Sequence, residues 1–320
     1  MTDVILDVDT GVDDALAILF AVRHPSVRLR AITCVAGNAV VDQVVTNTLR
    51  VLDAAGADDV PVARGAERPL LAPLRDARIV HGENGMGDIE LPASGRRPVA
   101  EHAVELLRRT ILAAPEPVTL VTLAPLTNIA LLLRTYPEVA GNIGRVVSMG
   151  GSAWVGNASP VAEFNVWHDP EAAAMVYAAG LPLTMYGLDV FYGVALPRSQ
   201  AEELAALDEP GARLAGRLLL HAADRYGHEH RLAEPGGAGL GDAGAMCSVA
   251  LPGALTTRRL PVSVELAGPL TRGQTVVDHR SVEGEDAAHG LAMDQHLVDV
   301  AMEVDGKRLR ELYVATLLGR

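Results

Sequence analysis

Short apolar runs rich in β-branched residues alternate with helical stretches along the first two-thirds of the 320-residue chain. This alternation predicts parallel strands joined by helices, in a doubly wound sheet with helices on both faces. The predicted strands are Val4–Leu6, Val27–Val35, Val118–Leu123, Arg145–Met149 and Leu183–Tyr186, and the predicted helices begin at Ala15 or span Val40–Ala55, Thr127–Arg134 and Glu171–Ala179. The expected fold class is therefore α/β, with a mostly parallel central sheet.

The last third of the chain has a different pattern. It predicts a long helix at Ala212–Tyr226 after a break at Pro210-Gly211, a loop at Gly227–Gly241, a short helix at Ala243–Ala250, strands at Val262–Leu266 and Thr275–Val277, and two closing helices. No linker rich in Pro, Ser or Gly separates the two parts. We therefore expect a single domain over residues 1–320, with a mobile lid at 224–241.

The composition and net charge of the chain restrict the kinds of molecule that it is expected to bind. A chain that is 49% hydrophobic and 21% charged fits a soluble globular protein. The net charge of -13 argues against nucleic acid or an anionic membrane as partner, and favours a neutral small molecule or a cation. The first apolar segment is short and ends in acids, so we expect no signal peptide. Two cysteines, Cys34 and Cys247, predict reduced thiols in a cytoplasmic protein.

Four aspartates lie between the first predicted strand and the first predicted helix, namely Asp7, Asp9, Asp13 and Asp14. This junction is the usual ligand position in an open α/β sheet. Carboxylates so close together repel one another unless a cation or shared protons offset their charge. An all-oxygen site suits a hard cation such as Ca²⁺ or Mg²⁺. The alternative is that Asp13 or Asp14 only caps the helix, which explains one or two of the four.

Further polar segments fall in predicted loops, several directly after strands. Because such loops converge on one crevice in an open α/β sheet, they predict a single binding site. The segments are Gly37-Asn38, His81-Gly82-Glu83-Asn84-Gly85, Gly156-Asn157, Glu163-Phe164-Asn165 and Asp242.

Together with the opening aspartates, these segments resemble the inosine–uridine-preferring nucleoside hydrolases over most of the chain. Each motif is weak alone, but their order makes the set specific. The matching motifs are Asp7-Val8-Asp9-Thr10-Gly11-Val12-Asp13-Asp14-Ala15, Val35-Ala36-Gly37-Asn38, His81-Gly82-Glu83-Asn84-Gly85, Leu126-Thr127-Asn128-Ile129-Ala130, Met149-Gly150-Gly151, Ala162-Glu163-Phe164-Asn165, Asp169-Pro170-Glu171-Ala172-Ala173, Gly187-Leu188-Asp189 and Gly273-Gln274-Thr275-Val276-Val277-Asp278.

The resemblance implies a Rossmann-like nucleoside hydrolase fold and hydrolysis of the N-glycosidic bond of a ribonucleoside, giving ribose and a free base. It also implies a Ca²⁺ ion held by Asp9, Asp14, the backbone carbonyl of Leu123 and Asp242. The ion would hold the ribose 2′- and 3′-hydroxyls and the attacking water, and Asp9 would take the proton of that water. The family also suggests a homodimer or homotetramer.

Carried over in the same way, several polar residues would hold the sugar and align it for attack. They are Asp13 on the 2′-hydroxyl, and Asn38, His81, Asn157, Glu163 and Asn165 on the rest of the substrate. Each has a simpler explanation. Asn38 and Asn157 follow glycines and could be turn residues, Glu163 could lie on the surface, and His81 could bond to backbone.

The chain departs from the family's pattern at Gly241. Many members have a histidine immediately before the fourth metal ligand, and that histidine helps to protonate the leaving base. Glycine has no such group, so Tyr226, His228 and His230 on the adjacent loop are the candidate acids. Otherwise this loop is the solvated end of a helix.

Two other functions remain open. A catalytically altered protein that binds a nucleoside or ribose without turnover would explain Gly241, although Asp9 is retained. A phosphatase using Asp7 as nucleophile is the third, but it leaves Asp13, Asp14 and Asp242 unexplained. Trp154 is a candidate to stack on the base, or else ordinary packing. The sequence does not determine base preference.

Overall fold

The computed structural model describes residues 1–280 and 296–320. Within these ranges the strands are β1 (Thr2–Val8), β2 (Val27–Cys34), β3 (Val62–Arg64), β4 (Val118–Thr122), β5 (Ile143–Met149), β6 (Leu183–Tyr186), β7 (Ala195–Leu196), β8 (Ala238–Gly239), β9 (Leu255–Val264), β10 (Thr275–Val277) and β11 (Leu297–Val304).

The helices of the same ranges are α1 (Val12–Arg23), α2 (Val41–Ala55), α3 (Arg78–His81), α4 (Ala103–Ala113), α5 (Thr127–Thr135), α6 (Phe164–His168), α7 (Pro170–Tyr177), α8 (Leu188–Phe191), α9 (Arg198–Ala205), α10 (Pro210–Tyr226), α11 (Asp242–Ala250) and α12 (Gly306–Leu317). Two short 3₁₀ turns, Pro137–Asn142 and Pro252–Ala254, complete the regular structure.

One sheet of nine strands runs through the protein in the order β10-β9-β11-β6-β5-β4-β1-β2-β3. The strands from β3 to β11 are parallel, and β9 and β10 extend the sheet antiparallel at one edge. The run β3-β2-β1-β4-β5-β6 is the strand order of Rossmann-type folds, in which the winding reverses between β1 and β4. The expected mostly parallel sheet flanked by helices is confirmed, and ligands of such sheets bind where the winding reverses.

The apolar side chains on both faces of β1 explain why helices cover both faces of the sheet. Val4, Leu6 and Val8 belong to one hydrophobic core, while Ile5 belongs to the other. Successive strand side chains point to opposite faces, so a strand with two apolar faces needs helices on each. Side chains of α1, α2, α10, α11 and α12 form the first core, and those of α4, α5 and α7 form the second.

The edge of the sheet is where the sequence predictions are least accurate. The strand expected at Val262–Leu266 begins seven residues earlier, at Leu255, because its first half is exposed and polar and has no apolar signal. Of the two closing helices, Gly306–Leu317 is confirmed. Leu297–Val304 forms a strand that the sequence analysis did not predict, and it pairs with both β6 and β9.

Helix α10 begins at Pro210 rather than at Ala212. The Glu209 side chain accepts hydrogen bonds from the backbone N–H groups of Gly211 and Ala212 and so caps the helix. Proline fits the first turn, where its missing N–H has no helical partner to lose. At 17 residues it is the longest described helix, and no described helix is long and apolar enough to cross a membrane.

Candidate active site

The junction between β1 and α1 places its aspartates through backbone hydrogen bonds. Asp14 Oδ2 accepts the N–H of Gly11 at 2.9 Å, and Asp14 Oδ1 accepts the N–H of Asp9 at 3.2 Å. Asp14 thereby caps the first turn of α1. The capping explanation is correct for Asp14, but the same carboxylate also belongs to a cluster of acids, described below.

Asp9 is fully buried and is held by the loop after β2. Its Oδ2 accepts the backbone N–H of Asn38 at 2.7 Å, and its Oδ1 has no hydrogen-bond partner among the described residues. A Cβ at Gly37 would lie 2.0 Å from Asp9 Oδ2, so only glycine lets this loop approach so closely. The Asn38 side chain donates to Asp14 Oδ2 at 3.2 Å, which ties Asn38 to the aspartates.

Asp7 faces a different part of the interior. Its Oδ1 accepts hydrogen bonds from Thr33 Oγ1 and from Asn128 Nδ2, the latter at 2.8 Å. Burial raises the pKa of the Asp7 carboxyl to about 7. Asp7 does not line the cavity described below, and one of its oxygens is engaged by Thr33 and Asn128.

The carboxyl end of β4 and the start of α6 form the adjoining wall. Asn165 Nδ2 donates to the carbonyl of Leu123 at 3.0 Å and to that of Met149 at 3.1 Å. Glu163 Oε2 accepts the N–H of Gly151 at 2.9 Å and its Oε1 that of Asn165 at 2.8 Å. Burial raises the pKa of Glu163 to about 7. Glu163 is therefore buried and ordered by backbone, rather than a surface residue.

Three carboxylates converge where the winding of the sheet reverses. Asp13, Asp14 and Asp242 each offer an oxygen within 4.8 Å of the others. Burial first, and then their neighbours' negative charge, raises the pKa of Asp14 to about 7 and that of Asp9 and Asp242 well above the ordinary value. So many buried carboxylates are stable together only if protons or a cation offset their charge.

The donor set fits a hard divalent cation. Asp9 Oδ1 and Asp13 Oδ1 are buried and have no hydrogen-bond partner among the described residues. The carbonyl of Leu123 lies at the same site and has a second lone pair besides the one that accepts from Asn165. Carboxylate and carbonyl oxygens are the ligands that Ca²⁺ and Mg²⁺ take in proteins. The aspartates can therefore hold a metal ion. The group whose oxygens converge contains the predicted ligands Asp14 and Asp242 and also Asp13, whereas the predicted ligand Asp9 is not part of it.

Two of these acids, Asp13 and Asp242, line a cavity of about 430 Å³. Its volume lies in the range of small-molecule sites. Of the residues predicted to hold the substrate, all six line it, and so do two predicted metal ligands. These residues are Asp13, Asn38, His81, Asn157, Glu163 and Asn165, with Leu123 and Asp242. The expectation that the polar loops converge on one crevice is met by this geometry.

His81 enters the cavity as a neutral side chain. Its Nδ1 accepts the backbone N–H of Val12 at 3.1 Å and lies 4.0 Å from Asp13 Oδ1. Burial lowers the pKa of His81. The proton of the ring is therefore on Nε2, leaving that nitrogen as a donor. His81 both bonds to backbone and lines the cavity, so its two sequence interpretations are compatible.

The segment after α10 brings a different set of residues to the cavity than the sequence predicted. Tyr226 lines it, whereas His228 and His230 are exposed and do not. His230 is 88% exposed at its side chain, and its Nδ1 lies 3.1 Å from a Glu229 carboxylate oxygen. An acid role for either histidine requires this segment to move.

Several further residues line the cavity. Phe164, which lies in one of the predicted site segments, contributes aromatic surface together with Phe191 and Tyr192. Glu229 and Arg231 contribute a charged pair that the sequence did not predict. Glu229 and Arg231 lie among the glycines of a loop, where no periodicity indicates which side chains turn inward. Trp154 is 65% exposed, stacks on His279 at 4.5 Å between ring centroids, and does not line the cavity.

Asn157 lies on a loop of the cavity wall and also orders that loop. Its Oδ1 accepts the backbone N–H of Phe164 at 2.9 Å, which leaves the amide NH₂ of Asn157 available to a ligand. The turn-residue explanation is met by this bond, and substrate binding by Asn157 stays a prediction.

Known proteins resemble this chain in sequence and in architecture. Residues 4–311 match the family described as inosine-uridine preferring nucleoside hydrolase. The non-specific ribonucleoside hydrolase RihC of Salmonella enteritidis is 43% identical over 305 residues, which cover 95% of this chain and 94% of the relative. The pyrimidine-specific ribonucleoside hydrolase RihA of an Enterobacter species is 40% identical over 308 residues, covering 94% and 96%.

Solved structures extend the likeness to three dimensions. The purine-preferring ribonucleoside hydrolase from Gardnerella vaginalis superposes with a TM-score of 0.89 at 31% identity, over 99% of this chain and 98% of that one. Family match, relatives and structure agree over nearly the whole length. The chain therefore belongs to the inosine-uridine preferring nucleoside hydrolase family and is an N-glycosyl hydrolase.

Proposed function

We propose that this protein is a Ca²⁺-dependent hydrolase that cleaves ribonucleosides to ribose and free base with an Asp-activated water. The observation that carries the proposal is the convergence of the half-buried Asp13 with the buried Asp14 and Asp242 beside a cavity of nucleoside size. Cleavage of an N-glycosidic bond develops positive charge on the sugar, and fixed negative groups stabilise such a transition state.

Asp9, Asp14, Asp242 and the Leu123 carbonyl would hold the ion, as the resemblance implies. A bound Ca²⁺ would lower the pKa of a water and fix its position. Asp9 would accept the proton of the attacking water at Oδ1, the oxygen left without a partner, while Asn38 holds Oδ2. The fixed Oδ2 keeps the reactive oxygen in one orientation, which lowers the entropic part of the barrier.

The remaining polar groups would bind the ribose. Asp13 has a buried oxygen without a described partner, which would accept a hydrogen bond from the 2′-hydroxyl. Asn38, Asn157 and Asn165 would bind the other hydroxyls, with His81 donating from Nε2 and Glu163 accepting. Because backbone bonds already hold Glu163 and Asn157, little ordering is left to occur when the substrate binds.

Protonation of the base is the step that the chain carries out differently from the family's pattern. Of the three predicted acids, Tyr226 is the one at the cavity wall. Burial raises the pKa of Tyr226 above its ordinary value, so its hydroxyl would act as a hydrogen-bond donor to the base. His228 and His230 remain alternatives that require the proposed lid at 224–241 to close over the substrate.

The experiment measures reducing sugar released from a panel of ribonucleosides by metal-stripped protein, with Ca²⁺ or Mg²⁺ added back. We expect ribose release that Ca²⁺ restores better than Mg²⁺, because a flexible set of carboxylates and carbonyls suits the larger ion. Equal activity with and without chelator would contradict the metal role. Release of phosphate from phosphate esters, without ribose release, would instead favour the phosphatase.

Gly241 favours a second candidate, a nucleoside- or ribose-binding protein without turnover. The residue before Asp242 has no side chain to donate a proton. Calorimetric binding of a ribonucleoside with no ribose release, in the presence of Ca²⁺, would select this candidate over the hydrolase.

We also propose that the chain acts as one domain in a homodimer or homotetramer. Nine strands drawn from residues 2 to 304 share one sheet, which supports a single domain. Light scattering of the purified protein measures the assembly directly.

A further inference from the structure

The cavity wall carries one permanent positive charge among its described residues. Arg231 is the sole arginine or lysine there, whereas Asp13, Glu163, Glu229 and Asp242 are all acidic. An arginine placed to neutralise the acid cluster would pair with it. The ion pair of Arg231 is instead with Glu229, outside the group of carboxylates that can hold a metal.

Glu229 and Tyr192 hold the guanidinium in a fixed plane. Arg231 Nε and Nη2 donate to the two Glu229 oxygens at 3.0 and 2.9 Å, a bidentate pair. Arg231 Nη2 also donates to the Tyr192 hydroxyl at 3.2 Å, and the guanidinium carbon lies 4.2 Å from the centre of the Tyr192 ring. No described residue accepts from Arg231 Nη1. The guanidinium is therefore oriented by its neighbours and keeps donors for a ligand.

The geometry at Gly241 disfavours a side chain there. A Cβ would lie 2.6 Å from Asp13 Oδ2 and 3.1 Å from Phe191 Cζ, at a backbone φ of +54°. The leaving base must be stabilised by something else. A small pocket beside the main cavity is lined by Gly241, Tyr192, Tyr226 and Glu229. Tyr192 and Glu229, which orient Arg231, therefore lie next to Gly241, the position at which the family's pattern has a histidine.

We infer that Arg231, oriented by Glu229 and Tyr192, stabilises the negative charge that develops on the departing base. The inference rests on the proposed hydrolase function and names a further catalytic residue for that reaction. Glu229 is a positioning residue, since it acts through Arg231.

The step balances as follows. The electron pair of the C1′–N bond leaves with the base, and the oxygen of water bonds to C1′ and gives one proton to Asp9. Arg231 keeps its protons because a guanidinium does not deprotonate in proteins. The base takes a proton from solvent, and the proton on Asp9 returns to solvent, so water and nucleoside give ribose and neutral base.

The test compares two kinds of leaving group. Natural nucleosides leave as poorly stabilised bases, whereas p-nitrophenyl riboside leaves as a stable anion that needs no help. We expect Arg231→Ala to lower kcat for uridine and inosine by about 10²-fold, the loss typical of one transition-state donor. For p-nitrophenyl riboside we expect a loss below about threefold, and for Arg231→Lys an intermediate loss on the nucleosides.

Two controls separate catalysis from folding. Arg225→Ala removes an equal charge from the exposed end of α10 and should leave both substrates unaffected. Added guanidinium at sub-denaturing concentration should restore part of the uridine rate of Arg231→Ala, which a merely structural role would not allow. Glu229→Gln should lower kcat for nucleosides with little change in KM, and spare p-nitrophenyl riboside.

Equal losses of Arg231→Ala on both substrates, or none on either, would overturn the inference while leaving the hydrolase function standing. A wild-type protein that releases ribose from neither substrate would overturn both.

Discussion

Asp9 and Asn38 are joined by a 2.7 Å hydrogen bond from the Asn38 backbone to one carboxylate oxygen, and the other oxygen of Asp9 has no described partner. The bond connects the end of β1 with the loop after β2, two neighbouring strands. A local loop conformation therefore determines how the proposed base faces the water that it would activate.

Gly37→Ala tests this arrangement. The new Cβ would lie 2.0 Å from Asp9 Oδ2 and 3.0 Å from Pro125 Cδ, so the carboxylate must move. We expect kcat for uridine to fall by about 10²-fold or more, because displacements near 1 Å are enough to cost that much. Gly95→Ala is the matched control, since nothing lies within 4 Å of its Cβ. A Gly37→Ala enzyme with normal kcat would contradict the role of the loop.

Restoring a histidine at position 241 should damage the protein. Gly241→His combines a φ of +54° with a Cβ 2.6 Å from Asp13 Oδ2. Strain of this kind costs roughly 1–3 kcal/mol, so we expect a Tm several degrees lower and slower turnover. Gly180→His separates the two effects, because Gly180 has a φ of +70° and open space around it. A more active Gly241→His enzyme would show that the backbone adapts to the side chain.

Stability should depend on pH and calcium together. Burial raises the pKa of Asp7, Asp14 and Glu163 to about 7 each, from ordinary values near 4. Because the folded state binds these protons more tightly, their contribution to stability is complete below about pH 4 and is lost as the pH rises through 7. Chelator-treated protein should therefore have a lower Tm at about pH 8 than at about pH 5.5.

Calcium should reverse this trend, since it binds the ionised carboxylates. We expect added Ca²⁺ to raise Tm more at about pH 8 than at about pH 5.5. Asp7→Asn is the control, because it removes one buried titrating group outside the cavity. It should make the Tm of the chelator-treated protein depend less on pH. The increase in Tm on addition of Ca²⁺ should stay the same. A chelated protein most stable at high pH would contradict the assignment.

The three predicted acids can be ranked by substitution. Tyr226→Phe removes the hydroxyl at the cavity wall, and we expect it to slow uridine cleavage by about tenfold or more, with a smaller effect on p-nitrophenyl riboside. His228→Ala and His230→Ala should change both rates little, because both side chains are exposed. A large loss in either histidine variant, confined to natural nucleosides, would show that the lid closes and delivers that histidine.

The parts of the molecule that sequence predicted well are those with a repeating apolar pattern or a local motif. The alternation of Val4, Ile5 and Leu6 predicts a strand buried on both faces, as found. The spacing of Asp9, Asp13 and Asp14 predicts both a helix cap and a site for a cation. Both signals are contained in a few consecutive residues.

The elements and site residues that the sequence did not predict depend on contacts between parts of the chain that are distant in sequence. The strand Leu297–Val304 forms because β6 and β9 provide hydrogen-bonding edges on either side, which no local pattern reveals. Glu229 and Arg231 form a bidentate pair two residues apart, but their place at the cavity depends on Tyr192, nearly forty residues earlier. Neither relation is visible before the chain is folded.

The residues that line the cavity fall into two groups, according to the part of the fold from which they come. The residues that would bind metal and sugar lie mainly at the ends of β1 and β4 or are fixed by backbone hydrogen bonds. The residues near the proposed leaving group come from peripheral segments outside the central sheet. They are Tyr192, Tyr226, Glu229 and Arg231. Substitutions in these segments can therefore change the surroundings of the base without disturbing the packing and the backbone hydrogen bonds that hold the residues proposed for metal and sugar.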